Sequence, residues 1–184
     1  MESNSKINKI TDSEYLVLLN NILPNNRLKL ATAAGEAVDV EIRMRLIGQF
    51  SEQVRNKIQE LVAKKKRKKS SDYWDCDLFF LEQAIIDVFR DKLESSKINT
   101  IEKFRILRNK LLHADFVGLM EELGIEPTSQ EIFKHGKRGI VMNKDIKEAL
   151  LSVERNQGFK TFEMLARETS SILDKLLINL VNKF

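Results

Sequence analysis

The chain has little of what interrupts or staples a fold. Among its 184 residues there are one cysteine, two prolines and seven glycines. A lone Cys76 cannot form an internal disulfide, so nothing asks for an oxidising compartment. The scarcity of proline and glycine permits long helices. No run approaches the roughly 20 apolar residues of a membrane span, and the opening MESNSKINKI lacks the apolar stretch of a signal peptide. A cytoplasmic protein with no membrane partner is therefore expected. Also missing are an HExxH pair, a paired CxxC and a GxxxxGK(S/T) loop, which leaves zinc and phosphate-loop chemistry without support. With only two histidines, any metal site would be mostly carboxylate, and neither metal nor cofactor is expected.

What is there is globular. The apolar fraction is 42% and the charged fraction 32%, enough to bury a core in one domain spanning residues 1–184. Thirty-one basic residues face 27 acidic ones, a net charge of +4 that is too small to establish nucleic-acid binding without a local concentration.

Apolar spacing predicts an all-α helical bundle. Thr11-Asp12-Ser13-Glu14 is a capping-box pattern, opening a helix that ends before Pro24. A second helical region runs from near Arg27 to about Ala63. Its expected buried stripe is Ala34, Val38, Ile42, Ile47, Phe50, Val54, Ile58 and Leu61, with Gly48 as a point of interruption. A third helix is expected from about Asp72 to Leu93, with Trp74, Leu78, Leu81, Ile85, Val88 and Phe89 inside and Ser95-Ser96-Lys97 as its break. Asn99 would cap a fourth, whose core face is Ile101, Phe104, Leu107, Leu111 and Leu112, ending at Gly124. Residues 124–143 contain Pro127, Gly136 and Gly139 and read as a loop or small insertion. Two helices close the chain, roughly 144–155 and 159–183.

One segment carries recognisable chemistry: Arg108-Asn109-Lys110-Leu111-Leu112-His113, within FRILRNKLLHADF. Cleaving RNA without a metal needs a base for the ribose 2′-hydroxyl and a cation for charge developing on the phosphoryl oxygens. An imidazole suits the first task, and a planar, permanently charged guanidinium the second. At 3.6 residues per turn, however, positions five apart diverge by about 140° around a regular helix. Arg108 and His113 would then need a distorted helix, a long reach by Arg108, or a second chain. Asn109, one turn before His113, is placed to orient the imidazole or contact phosphate.

The segment resembles the HEPN superfamily, whose hallmark is an Arg, then a polar residue, then a His four to six positions after the Arg, in an all-α bundle. The resemblance rests on six residues. It implies a HEPN-like four-helix core with additional helices, and a metal-independent endoribonuclease that cuts single-stranded RNA. It further implies a homodimer with its catalytic residues at the dimer cleft, and a toxin–antitoxin or phage-defence role with a cognate antitoxin or other partner protein. Arg108 and His113 would carry catalysis with Asn109 in support. One branch of the family has a Tyr two residues after the His, where this chain has Asp115. Catalytically silent members exist too, so a silent module binding RNA, nucleotide or protein stays open, as does a structural helical adaptor.

A second feature is the run Lys64, Lys65, Lys66, Arg67, Lys68 and Lys69, leading into Ser70-Ser71 in a loop near 64–71. With Lys110 it is a candidate RNA-phosphate contact; a solvated connector explains the run equally well. His135, among Lys134, Lys137 and Arg138, is a candidate RNA contact or an exposed loop residue. Glu82 and Asp87 are candidate partners for Arg108. Trp74, Phe79 and Phe80 are expected in the core, and Cys76 as a small half-buried side chain.

Overall fold

The computed structural model describes residues 27–65, 72–113, 115–125 and 143–182. The helix expected before Pro24, the cations Lys66, Arg67, Lys68 and Lys69, and His135 with its neighbours lie outside these residues. Within them the fold is all-α: α1 (Arg27–Phe50), α2 (Glu52–Lys64), α3 (Leu78–Val88), α4 (Ser95–Leu112), α5 (Phe116–Glu122), α6 (Asn143–Arg155) and α7 (Gly158–Val181). A single 3₁₀ turn, Arg90–Lys92, links α3 to α4. No described helix is long and apolar enough to cross a membrane.

The helical region expected from 27 to 63 is two helices, and the interruption falls at Ser51, not at Gly48. Ser51 leaves the helical region (φ −118°, ψ 106°), and its hydroxyl oxygen accepts the Val54 N–H at 3.3 Å, capping α2. Gly48 stays inside α1 for another reason: a methyl there would meet the Tyr73 Cβ at 2.9 Å. The glycine lets the 72–77 turn seat directly on the helix.

The buried face of α1 also differs from the expected one. Ala33, Ala37, Val40, Met44 and Ile47 are fully buried, whereas Val38 is 50% and Ile42 46% exposed. Two apolar stripes at helical spacing share this helix, and packing against α7 selects the one bearing small alanines. Among the described helices, the α1–α7 interface is the most extensive. Arg43–Asp174 (2.8 Å) and Arg167–Glu36 (2.9 Å) bridge it at the same sequence offset of 131, so the two helices run parallel. Such half-exposed pairs add only about 0–1 kcal/mol each and serve mainly as register marks.

The third expected helix is shorter at both ends. Asp72 accepts the Trp74 N–H on its own carboxylate at 2.7 Å and the Cys76 N–H on its carbonyl at 2.8 Å, closing a turn where a helix start was expected. Trp74 therefore lies outside the core, 55% exposed. From Leu78 onward nearly every face of α3 is buried, including Phe80, Leu81, Ala84, Ile85 and Ile86.

The expected break at Ser95-Ser96-Lys97 is instead the first turn of α4, so Asn99 is not its cap. Ile101, Phe104, Leu107 and Leu111 form its buried face as expected, but Leu112 is exposed. Phe104 meets Phe162 of α7 with ring centroids 5.8 Å apart. The helix does not continue to Gly124. It ends at Leu112, and Asp115 starts α5 by accepting the Gly118 N–H at 2.9 Å. Gly124 then closes α5 at φ 66°: its N–H reaches Glu121 O and the Ile125 N–H reaches Met120 O, both at 3.0 Å.

Candidate functional site

The Arg108–His113 segment spans the end of α4 and its C-cap, and its side chains part there. Arg108 is half-buried and turned toward α1, where its Nη2 donates to Glu41 Oε2 at 2.5 Å. Its Nη1 donates to Asn109 Oδ1 at 3.1 Å, and its buried Nε has no acceptor among the described residues. The other oxygen of Glu41 accepts from Arg45 Nη2 at 2.6 Å, one helical turn along α1. Arg45 extends the network through Nη1, which donates to the carbonyls of Tyr73 (3.0 Å) and Trp74. Burial works against the Glu41 charge, but the Arg45 hydrogen bond and the Arg108 charge outweigh it and hold the carboxyl below its usual range. Two guanidiniums sharing one carboxylate leave the cluster with a net positive charge.

His113 lies just beyond α4 as its C-cap (φ −90°, ψ 8°), with its N–H bonded to Asn109 O at 3.0 Å and its side chain exposed. Among the described residues, no hydrogen bond joins its ring to Arg108 or Asn109. The amide of Asn109 orients Arg108, and not the imidazole as one reading of the spacing had it. Arg108 and Asn109 are thus brought together, and His113 stands apart at the helix end.

Neither expected acidic partner meets Arg108. Glu82 pairs with Arg105 at 2.9 Å, one turn earlier on α4, while Asp87 takes Lys57 and Arg90, each at 3.4 Å. The candidate phosphate contacts that are described make internal contacts. Lys64 pairs with Glu60, Lys65 stands 3.9 Å from the centroid of the Phe79 ring, and Lys110 bonds Asp115 at 2.8 Å. That last bond raises the Lys110 pKa, against a smaller effect of burial. Burial pushes the Cys76 thiol up to about 11, far from a reactive thiolate.

Glu41 and Arg45 are the residues that sequence reasoning missed. Their spacing of four along one helix was a visible sign of an ion pair, but nothing local tied them to Arg108, 67 residues away. A groove of about 430 Å³ lies elsewhere, between α1 and α7, where the Arg43–Asp174 and Arg167–Glu36 pairs balance its charge. Among the described residues no group of three or more His, Cys, Asp or Glu side chains is arranged to hold a metal ion. No protein-family model, curated protein or solved structure matches the chain.

Proposed function

We propose that this protein is a metal-independent endoribonuclease of the HEPN kind, acting on single-stranded RNA. The observation that carries the reading is the end of α4: an oriented, half-buried guanidinium at Arg108, set five residues before an exposed imidazole at His113. His113 takes the proton of a ribose 2′-hydroxyl, and the freed oxygen attacks the adjacent phosphorus. The bond to the 5′-oxygen breaks, and that oxygen takes a proton from water. The products are a 2′,3′-cyclic phosphate and a 5′-hydroxyl. Arg108 balances the charge growing on the phosphoryl oxygens, and Asn109 holds its guanidinium. The direct test is cleavage of unstructured RNA in EDTA by the protein and its His113→Ala variant.

The parting of Arg108 from His113 supports a site completed by a second copy, since a two-fold interface sets identical patches face to face. Arg108→Ala and His113→Ala chains, each inactive, are expected to regain part of the activity once mixed and exchanged. A fully active monomer would rule this out. A toxin–antitoxin or phage-defence role, with a cognate inhibitor or partner protein, belongs to the same proposal.

A second reading, a silent module binding RNA, nucleotide or a protein partner, is favoured by one observation: Glu41 already engages Arg108. Turnover separates the two readings, whereas binding does not. For the basic run, exchanging Lys66, Arg67, Lys68 and Lys69 for Gln is expected to weaken RNA binding. It should also flatten the salt dependence by about 0.7 in logarithmic slope per lost phosphate contact on a single strand. An unchanged slope would make the run a solvated connector.

A further inference from the structure

The Arg108 cluster is short of acceptors and carries more positive than negative charge. A guanidinium offers five N–H donors. Among the described residues, Arg108 is engaged through one bond from each terminal nitrogen, to Glu41 and to Asn109, and its buried Nε is unmatched. Arg45 comes from a different helix and converges on the same carboxylate. Two guanidiniums from α1 and α4 around one anionic group is also the arrangement that grips a phosphate, because a phosphate presents several acceptor oxygens to planar donor forks. Two arginines on one carboxylate also occur as purely structural triads; what sets this cluster apart is the Arg108 Nε donor that has no acceptor among the described residues.

We propose that Arg45 and Arg108 form the phosphate site for single-stranded RNA, and that Glu41 is its resident anion, displaced when a phosphate of the strand enters. This rests on the ribonuclease reading for the class of ligand only. At rest Glu41 keeps two half-buried cations paired, which avoids the cost of leaving them uncompensated. On binding, the phosphate takes over that pairing and supplies acceptors for donors that Glu41 cannot reach. Arg45 thereby becomes a binding residue, and Glu41 sets the threshold an incoming strand must overcome.

The fold supplies its own reporter. Trp74 is the sole tryptophan, it is exposed, and its carbonyl accepts from Arg45. The Trp74 N–H is held by Asp72, and Tyr73 seats the turn on Gly48, so a shift of the Arg45 guanidinium would act on the backbone that carries this ring.

The experiment is a titration with a single-stranded 2′-deoxy oligonucleotide, which lacks the attacking hydroxyl and cannot be cleaved by the proposed route. Trp74 emission and oligonucleotide anisotropy are followed together. Glu41→Gln keeps the size and one acceptor oxygen while removing the competing charge. It is expected to bind roughly tenfold tighter, with a salt slope no shallower than that of the wild type. Arg45→Gln is expected to bind more weakly, to lose about 0.7 from the slope, and to lose the Trp74 response. Glu41→Gln that folds normally yet binds no tighter, or more weakly, would show Glu41 to be a fixed clamp for Arg108 and would overturn the proposal. Should Glu41→Gln not fold, the wild-type titration decides: saturation without any change in Trp74 emission overturns it. Tighter binding by Glu41→Gln in a protein that never cuts RNA would sink the ribonuclease reading and leave the anion site standing.

Discussion

His113→Ala is expected to remove EDTA-resistant RNA cleavage while leaving the fold intact. A general base contributes about 10²- to 10⁴-fold to such a reaction, so the loss should take turnover to the limit of detection. The fold should tolerate the change because the His113 contact to the helix end is made by its backbone, and its ring is exposed. A surface substitution of this kind shifts stability by about 0.5 kcal/mol or less. Arg108→Ala should abolish cleavage too, but with a measurable fall in stability, since it strips Glu41 of one of two partners. Cleavage by His113→Ala equal to that of the wild type would end the assignment. A strict requirement for Mg²⁺ would weigh heavily against it.

The second large effect lies in the pH dependence of stability, and it comes from Glu82. Its side chain is fully buried between α3 and α4; Oε1 accepts from Arg105 at 2.9 Å and from Gln83 at 3.5 Å, while Oε2 has no partner among the described residues. Burial raises its pKa more than the Arg105 bond and charge lower it, and the carboxyl titrates at about 7 against an ordinary value of 4.5. Between those two values the folded protein holds a proton that the unfolded chain has released. The contribution of Glu82 is thus complete below pH 4.5 and is lost as pH rises through about 7, a difference on the order of 3 kcal/mol. Glu41 acts in the opposite sense. Its depressed pKa gives stability that is present above the usual carboxylate range and lost only as the solution becomes more acidic. The two windows do not coincide. Urea unfolding of Glu82→Gln at pH 5 and pH 8 should therefore show a much flatter dependence than the wild type. An unchanged slope would mean that Arg105, and not burial, governs this carboxyl.

The part of the candidate site that lies in one segment was legible because its members are adjacent in sequence, whereas Glu41 and Arg45 were not. Arg108, Asn109 and His113 share one segment, and the buried face of α4 follows from the spacing of Ile101, Phe104, Leu107 and Leu111. The ends of α4 were not legible. Ser95 and Ser96 serve equally as a break and as a first turn, and Asp115 starts a new helix only because its carboxylate finds the Gly118 N–H. Trp74 was expected inside because it falls on the apolar spacing of the third expected helix, yet the turn closed by Asp72 keeps it out.

The sequence by itself determined that the described chain is helical, roughly where α6 and α7 run, and which segment, Arg108 to His113, carries the resemblance behind the proposed function. Local propensity and period suffice for those, because each depends on neighbours within a turn or two. Only the tertiary structure decided which face of α1 is buried, that Arg108 pairs with Glu41 and Glu82 with Arg105, and that His113 stands outside that network. Apolar stripes and opposite charges are interchangeable along a single chain. The packing of α1 against α7, and the reach of α4 to both α1 and α3, removes that degeneracy by bringing particular side chains within bonding distance.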